Sequence, residues 1–116
     1  PGTPCLHQGP PCSVAHNHFG KQLWLLGRSL AELFLQDAQR ALDFLSALPW
    51  VDAGRIGTVG CSGGGMLTAY LAAVDPRVRV AGIACYFSTL DQELEKGTCN
   101  YDAEQIIWGQ ARLGLD

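Results

Sequence analysis

Gly60-Cys61-Ser62-Gly63-Gly64 is the place where residue types and spacing suit a chemical reaction. The pattern is G-x-S-x-G. A serine hydroxyl is a poor nucleophile until a base takes its proton, and it must stand clear of the chain to reach a carbonyl carbon. A very tight turn between a strand and a helix exposes it in that way, at the cost of strained dihedrals. Side chains two residues to either side of the serine would collide in such a turn, so glycine is expected at 60 and 64. The helix that follows aims its N-terminus at the serine. Its N–H groups and positive dipole end favour a developing oxyanion, with the Gly63 N–H as the expected donor. The chemistry these residues point to is acyl transfer.

The elements around the pentapeptide decide whether the pattern means anything, because a glycine-rich chain also produces it by chance. Ile56-Gly57-Thr58-Val59-Gly60 reads as a short strand, small and β-branched enough to be covered on both faces. Residues 63–74 read as a helix, apolar nearly all round and therefore buried, ended by Asp75-Pro76. Val78 to Phe87 reads as a second strand. Strand, helix and strand over so short a stretch form a βαβ unit with parallel strands. The serine therefore falls between a strand and a helix, which is the context the motif needs. The plain alternative is a glycine-rich βα turn with an incidental serine. A phosphate-binding loop fits less well, since neither G-x-x-x-x-G-K-[ST] nor G-x-G-x-x-G occurs in the turn.

Upstream, Leu30, Leu33, Phe34, Ala38, Ala41, Leu42, Leu45 and Leu48 recur at steps of three and four, which predicts an amphipathic helix. Ser29 is its expected N-cap, with Glu32 at the capping-box position. Pro49 stops it, and residues 51–55 form a turn. Residues 1–20 carry four of the six prolines, two cysteines and all three histidines, without a readable period, and are expected to be an irregular lead-in. The tail after Ser88 reads as a polar loop followed by a helix around residues 103–113. The expected division is a lead-in over 1–20 and, over 21–116, the central part of one domain, incomplete at both ends.

Composition bounds the remaining possibilities. The chain has 116 residues, 47% of them hydrophobic and 16% charged, which places it among globular and not disordered sequences. With a net charge of -3 and no basic stripe, nothing points to nucleic acid or to an anionic membrane surface. No apolar run is long enough to span a bilayer. An odd count of five cysteines, without metal-type pairs, fits free thiols in a reducing compartment, so the cytoplasm is the expected location. The oligomeric state is not legible.

Several chemically tempting residues receive the plainer reading. Cys5, Cys12, His16 and His18 do not have a zinc-type spacing, and no metal is expected. Cys61 is read as a small space-filling side chain beside the turn, and Cys85 as core. Asp91 follows the second strand and reads as a solvated loop carboxylate. Trp24, Trp50 and Trp108 read as packing residues.

Taken together, Ala41-Leu42-Asp43-Phe44-Leu45, Pro49-Trp50-Val51-Asp52, Arg55-Ile56-Gly57, the run from Gly60 to Gly65, Leu71-Ala72-Ala73-Val74-Asp75-Pro76-Arg77-Val78 and Cys99-Asn100-Tyr101 resemble the acetyl xylan esterase and dienelactone-hydrolase-like branch of the α/β-hydrolases. The resemblance runs from about residue 21 to 116. Dienelactone hydrolases proper place a cysteine at the nucleophile, so Ser62 favours the esterase side. The resemblance implies a partial α/β-hydrolase fold and a serine esterase acting on a small-molecule ester, without a cofactor. It also implies a triad in the order serine, acid, histidine. His7, His16 and His18 all precede Ser62, so the triad acid and histidine are expected outside this sequence, and the chain alone is expected to be inactive. A peptidase or thioesterase shares the same turn, and a non-catalytic binding protein on this fold would also lack the histidine.

Overall fold

The computed structural model describes residues 12–87 and residue 89. The loop and helix expected beyond Ser88, with Asp91, Cys99 and Trp108, lie outside the described residues, as does Cys5. Helix α1 covers Cys12–Leu25, α2 Leu30–Ser46, β1 Ile56–Cys61, α3 Gly63–Val74 and β2 Val78–Ala84. None of the described helices is long and apolar enough to cross a membrane.

Helix α1 corrects the irregular reading of residues 12–20. Its apolar residues follow no clean stripe, and Phe19 and Leu25 face solvent, so periodicity carried no signal. Two of the four lead-in prolines, Pro10 and Pro11, directly precede Cys12 in the sequence, and proline is compatible with the start of a helix. Gly27, at φ 68, closes the helix: the Arg28 N–H donates to Leu23 O and the Gly27 N–H to Trp24 O, both at 3.0 Å.

Helix α2 starts as its sequence dictates. Ser29 sits in extended backbone, and its Oγ accepts a hydrogen bond from the Glu32 N–H at 3.2 Å. The Glu32 carboxylate also accepts from Arg28 Nη2 at 2.9 Å, one turn back. Leu30, Ala31 and Leu42 are buried, while Ala41 and Leu45 at the far end of the expected stripe are exposed.

Strands β1 and β2 pair in parallel, with Ile56 opposite Val78 and Cys61 opposite Ala84. Helix α3 makes the crossover and lies on the sheet face that carries the buried Ile56. Leu42, Ile56 and Leu71 form the core where α2, α3 and β1 meet, with Leu35, Ala38, Val51 and Val78 packed around them. Among the described residues, the strands are covered on one face only. Val59 and Val80 on the opposite face are 84% and 71% exposed, which corrects the expectation of a strand covered on both sides. Helix α3 is likewise half-buried rather than enclosed: Met66, Thr68 and Leu71 face inward, whereas Ala73 and Val74 face solvent.

Arg77 ties the C-terminal end of α3 to α2. Its Nη2 donates to Asp75 Oδ2 at 2.6 Å and its Nη1 to Asp43 Oδ1 at 2.8 Å.

Candidate functional site

Ser62 stands between the last residue of β1 and the first of α3 with φ 56 and ψ −120. For a residue with a Cβ this backbone costs about 1–3 kcal/mol, and it persists only where the surroundings hold it. Two hydrogen bonds do so. The Ser62 N–H donates to Ala84 O at 2.9 Å, fastening the turn to the end of β2, and the Ser62 carbonyl accepts from the Met66 N–H at 3.0 Å. The side chain is exposed and makes no capping hydrogen bond to α3, although serine at a helix N-cap ordinarily does. The strained dihedrals turn the hydroxyl outward instead.

Steric constraint falls on Gly60 and Gly65. A Cβ at Gly60 would overlap the carbonyl of Gly64, so the position has room for glycine alone. A Cβ at Gly65 would lie 2.7 Å from Ala84 O and 3.0 Å from Tyr86 Cβ, where the start of α3 presses on the end of β2. At Gly64 a Cβ would meet nothing within 4 Å. The steric reason for glycine at 64 is therefore corrected: its own carbonyl is the obstacle to residue 60, and its α-hydrogens face open space. Gly63, Gly64 and Gly65 form the first turn of α3, whose N–H groups have no acceptor within the helix. They cluster beside Ser62 at the positive end of the helix dipole.

Behind the turn, Tyr86 Oη donates to Tyr70 Oη at 3.2 Å, with the two rings edge to face at 6.3 Å between centroids. Burial, and then the hydrogen bond from Tyr86, pushes the Tyr70 phenol above its ordinary value, so it stays protonated.

Cys85 was expected in the core of β2. It follows the end of the strand at Ala84, has φ 55, and is exposed. Cys61 is also exposed. The neighbouring Cys85 thiol, by a side-chain hydrogen bond, holds the Cys61 thiol above its usual value. Periodicity carried no sign of this, because the positive φ at Cys85 breaks the two-residue alternation.

His7 lies outside the described residues, and His16 and His18 are not brought to the turn. His16 and His18 lie on α1, which contacts α2 and no other described element. The His16 ring meets Phe34 edge-on at 5.4 Å between centroids, and His18 shares a hydrogen bond with Gln22. Trp24 is half-buried, but Trp50 is 78% exposed and is not the packing residue it was expected to be.

A relative in Bacillus subtilis (strain 168), named "Putative hydrolase YtaP", is 32% identical over 88 residues, covering 76% of this chain and 29% of that protein. The chain thus spans under a third of the relative's length. No solved structure matches. The family model for acetyl xylan esterase (AXE1) matches residues 30–101, a stretch that contains α2, β1, the Ser62 turn, α3 and β2. With that match over more than half of its length, the chain belongs to the acetyl xylan esterase family and carries part of an α/β-hydrolase fold.

Proposed function

We propose that this chain is the nucleophile-bearing part of a serine carboxylic-ester hydrolase acting on small acyl esters, acetyl esters first among them. The observation that carries this reading is Ser62, exposed at φ 56 between β1 and the three-glycine first turn of α3. In this reading Ser62 Oγ attacks the ester carbonyl while a base takes its proton. Charge moves onto the carbonyl oxygen, and the Gly63 N–H donates to it. The tetrahedral species collapses, the alcohol leaves with a proton, and water repeats the sequence to free the acid and restore Ser62. Gly60 gives the turn room to form, and Gly64 keeps the approach to the serine open. Neither a metal nor a cofactor has a step in this chemistry.

In this reading the base is a histidine that comes later in the full-length chain than Ser62, because the triad order on this fold is serine, acid, histidine. A binding protein that keeps the turn without the catalysis is the second reading, and the activity of the complete protein separates the two. Membership of the acetyl xylan esterase family supports esterase over peptidase or thioesterase, and the acetyl preference rests on that family alone. The test is hydrolysis of p-nitrophenyl acetate, butyrate and octanoate by the complete protein. Expected is a preference for acetate in kcat/KM and a loss of about four orders of magnitude in Ser62→Ala. Equal rates in the two proteins would leave the binding protein as the reading to keep.

A further inference from the structure

Cys61 and Cys85 stand on either side of the Ser62 turn in a geometry that the ester chemistry does not use. Cys61 ends β1 opposite Ala84, and Cys85 is the next residue along β2's path. A strand spacing of about 4.8 Å and a rise of about 3.3 Å place such diagonal neighbours about 6 Å apart between Cα atoms, inside the range that a disulfide spans. In a regular strand Cys85 would project from the opposite face to Ala84. Its φ of 55 breaks that alternation, and the Cys85 thiol is the neighbour that raises the Cys61 thiol pKa. Both thiols are free and exposed.

We propose that Cys61 and Cys85 are a reversible dithiol–disulfide pair at the rim of the Ser62 turn, oxidised by low-molecular-weight disulfides of the glutathione class. One cysteine, as its thiolate, attacks a sulfur of the small disulfide, forming a mixed disulfide and releasing one small thiol. The second cysteine loses its proton and attacks the mixed disulfide, releasing the second small thiol. The two cysteine sulfurs give up two electrons, and the small disulfide takes them up with two protons. The product bond joins the residue before Ser62 to the residue after β2, across the contact that the Ser62 N–H already makes with Ala84 O. Because the neighbouring thiol raises the Cys61 pKa, little thiolate forms on Cys61 at neutral pH.

The test equilibrates the full chain, with Cys5, Cys12 and Cys99 replaced by serine, in defined ratios of reduced to oxidised glutathione. Acid quenching, alkylation and peptide mass spectrometry follow. Expected is a peptide pair joined between Cys61 and Cys85, about two mass units lighter than the dithiol form and reopened by excess reduced glutathione. The equilibrium constant should favour the disulfide at least about tenfold more in the folded chain than in urea, because the fold holds the thiols together. Cys61→Ser and Cys85→Ser should each accumulate the mixed glutathione disulfide on the cysteine that remains. Stable mixed disulfides in the two-cysteine chain itself, or an equilibrium constant unchanged by urea, would overturn the proposal. None of these readouts depends on ester hydrolysis.

Discussion

At Ser62 the backbone adopts φ 56 although the residue carries a Cβ, and the glycines around it absorb the consequence unequally. Gly60 has no room for a methyl group against the Gly64 carbonyl, whereas a methyl group at Gly64 would project into open space. Gly60→Ala is therefore expected to destabilise the fold by about 3 kcal/mol, as overpacking against rigid backbone does. Gly64→Ala should leave stability unchanged or raise it by about 0.5 kcal/mol, since alanine is the better helix former. Urea denaturation of the two variants checks the contrast; equal losses would mean that the turn is not held as described. The turn at Ser62 and the steric demand for glycine at 60 are legible in the sequence because the spacing of G-x-S-x-G carries a mechanical reason. The sequence hid Gly65, which presses on Tyr86 and Ala84, because that constraint comes from a strand distant in sequence. Cys85 was misread for the same kind of reason, since its positive φ breaks the pattern by which a strand is recognised.

Among the elements, α2, β1, α3 and β2 fall where hydrophobic period, capping and proline predict them, with β2 ending at Ala84 before the expected Phe87. Each carries its own local signal: Ser29 with Glu32, the β-branched run from Ile56, Asp75-Pro76 after α3. Helix α1 carries none, and only its packing against α2 identifies it. One charged cluster joins these elements. Hydrogen bonds from Arg77 hold the Asp75 carboxyl well below its ordinary value, at about 2, and Arg77 also reaches Asp43 on α2. A carboxylate whose pKa is depressed in the folded state stabilises the fold above its ordinary pKa and loses that contribution as pH falls through the folded value. The Asp75 contribution is thus expected to be complete above about pH 4 and to vanish toward about pH 2. Asp75→Asn should lower the melting temperature by a few degrees at pH 7 and flatten its fall between pH 4 and pH 2. An acid transition identical to that of the parent chain would show that Asp75 and Arg77 do not act as a pair.

For the molecule as a whole, the described residues form a two-stranded sheet with a helix on one face, and Val59 and Val80 on the other face are exposed. Open edges and an uncovered apolar face promote association between chains. The 116-residue chain on its own is accordingly expected to self-associate with rising concentration in analytical ultracentrifugation, and Val59→Lys with Val80→Lys to reduce that association. A parent chain that stays monomeric across the range would contradict this. The βαβ arrangement was legible in the sequence, whereas the bare face was not: small β-branched residues look the same whether a second layer covers them or not.

The central claim is that Ser62 is an activated nucleophile, and a fluorophosphonate tests it most directly, because it reacts with a serine only where a base and an oxyanion site act on it together. The complete protein is treated with the probe, digested and mapped by mass spectrometry, beside Ser62→Ala. Expected is one phosphonylated peptide, carrying the adduct on Ser62, and no adduct in the variant. An adduct on a different serine, or labelling that persists in Ser62→Ala, would contradict it.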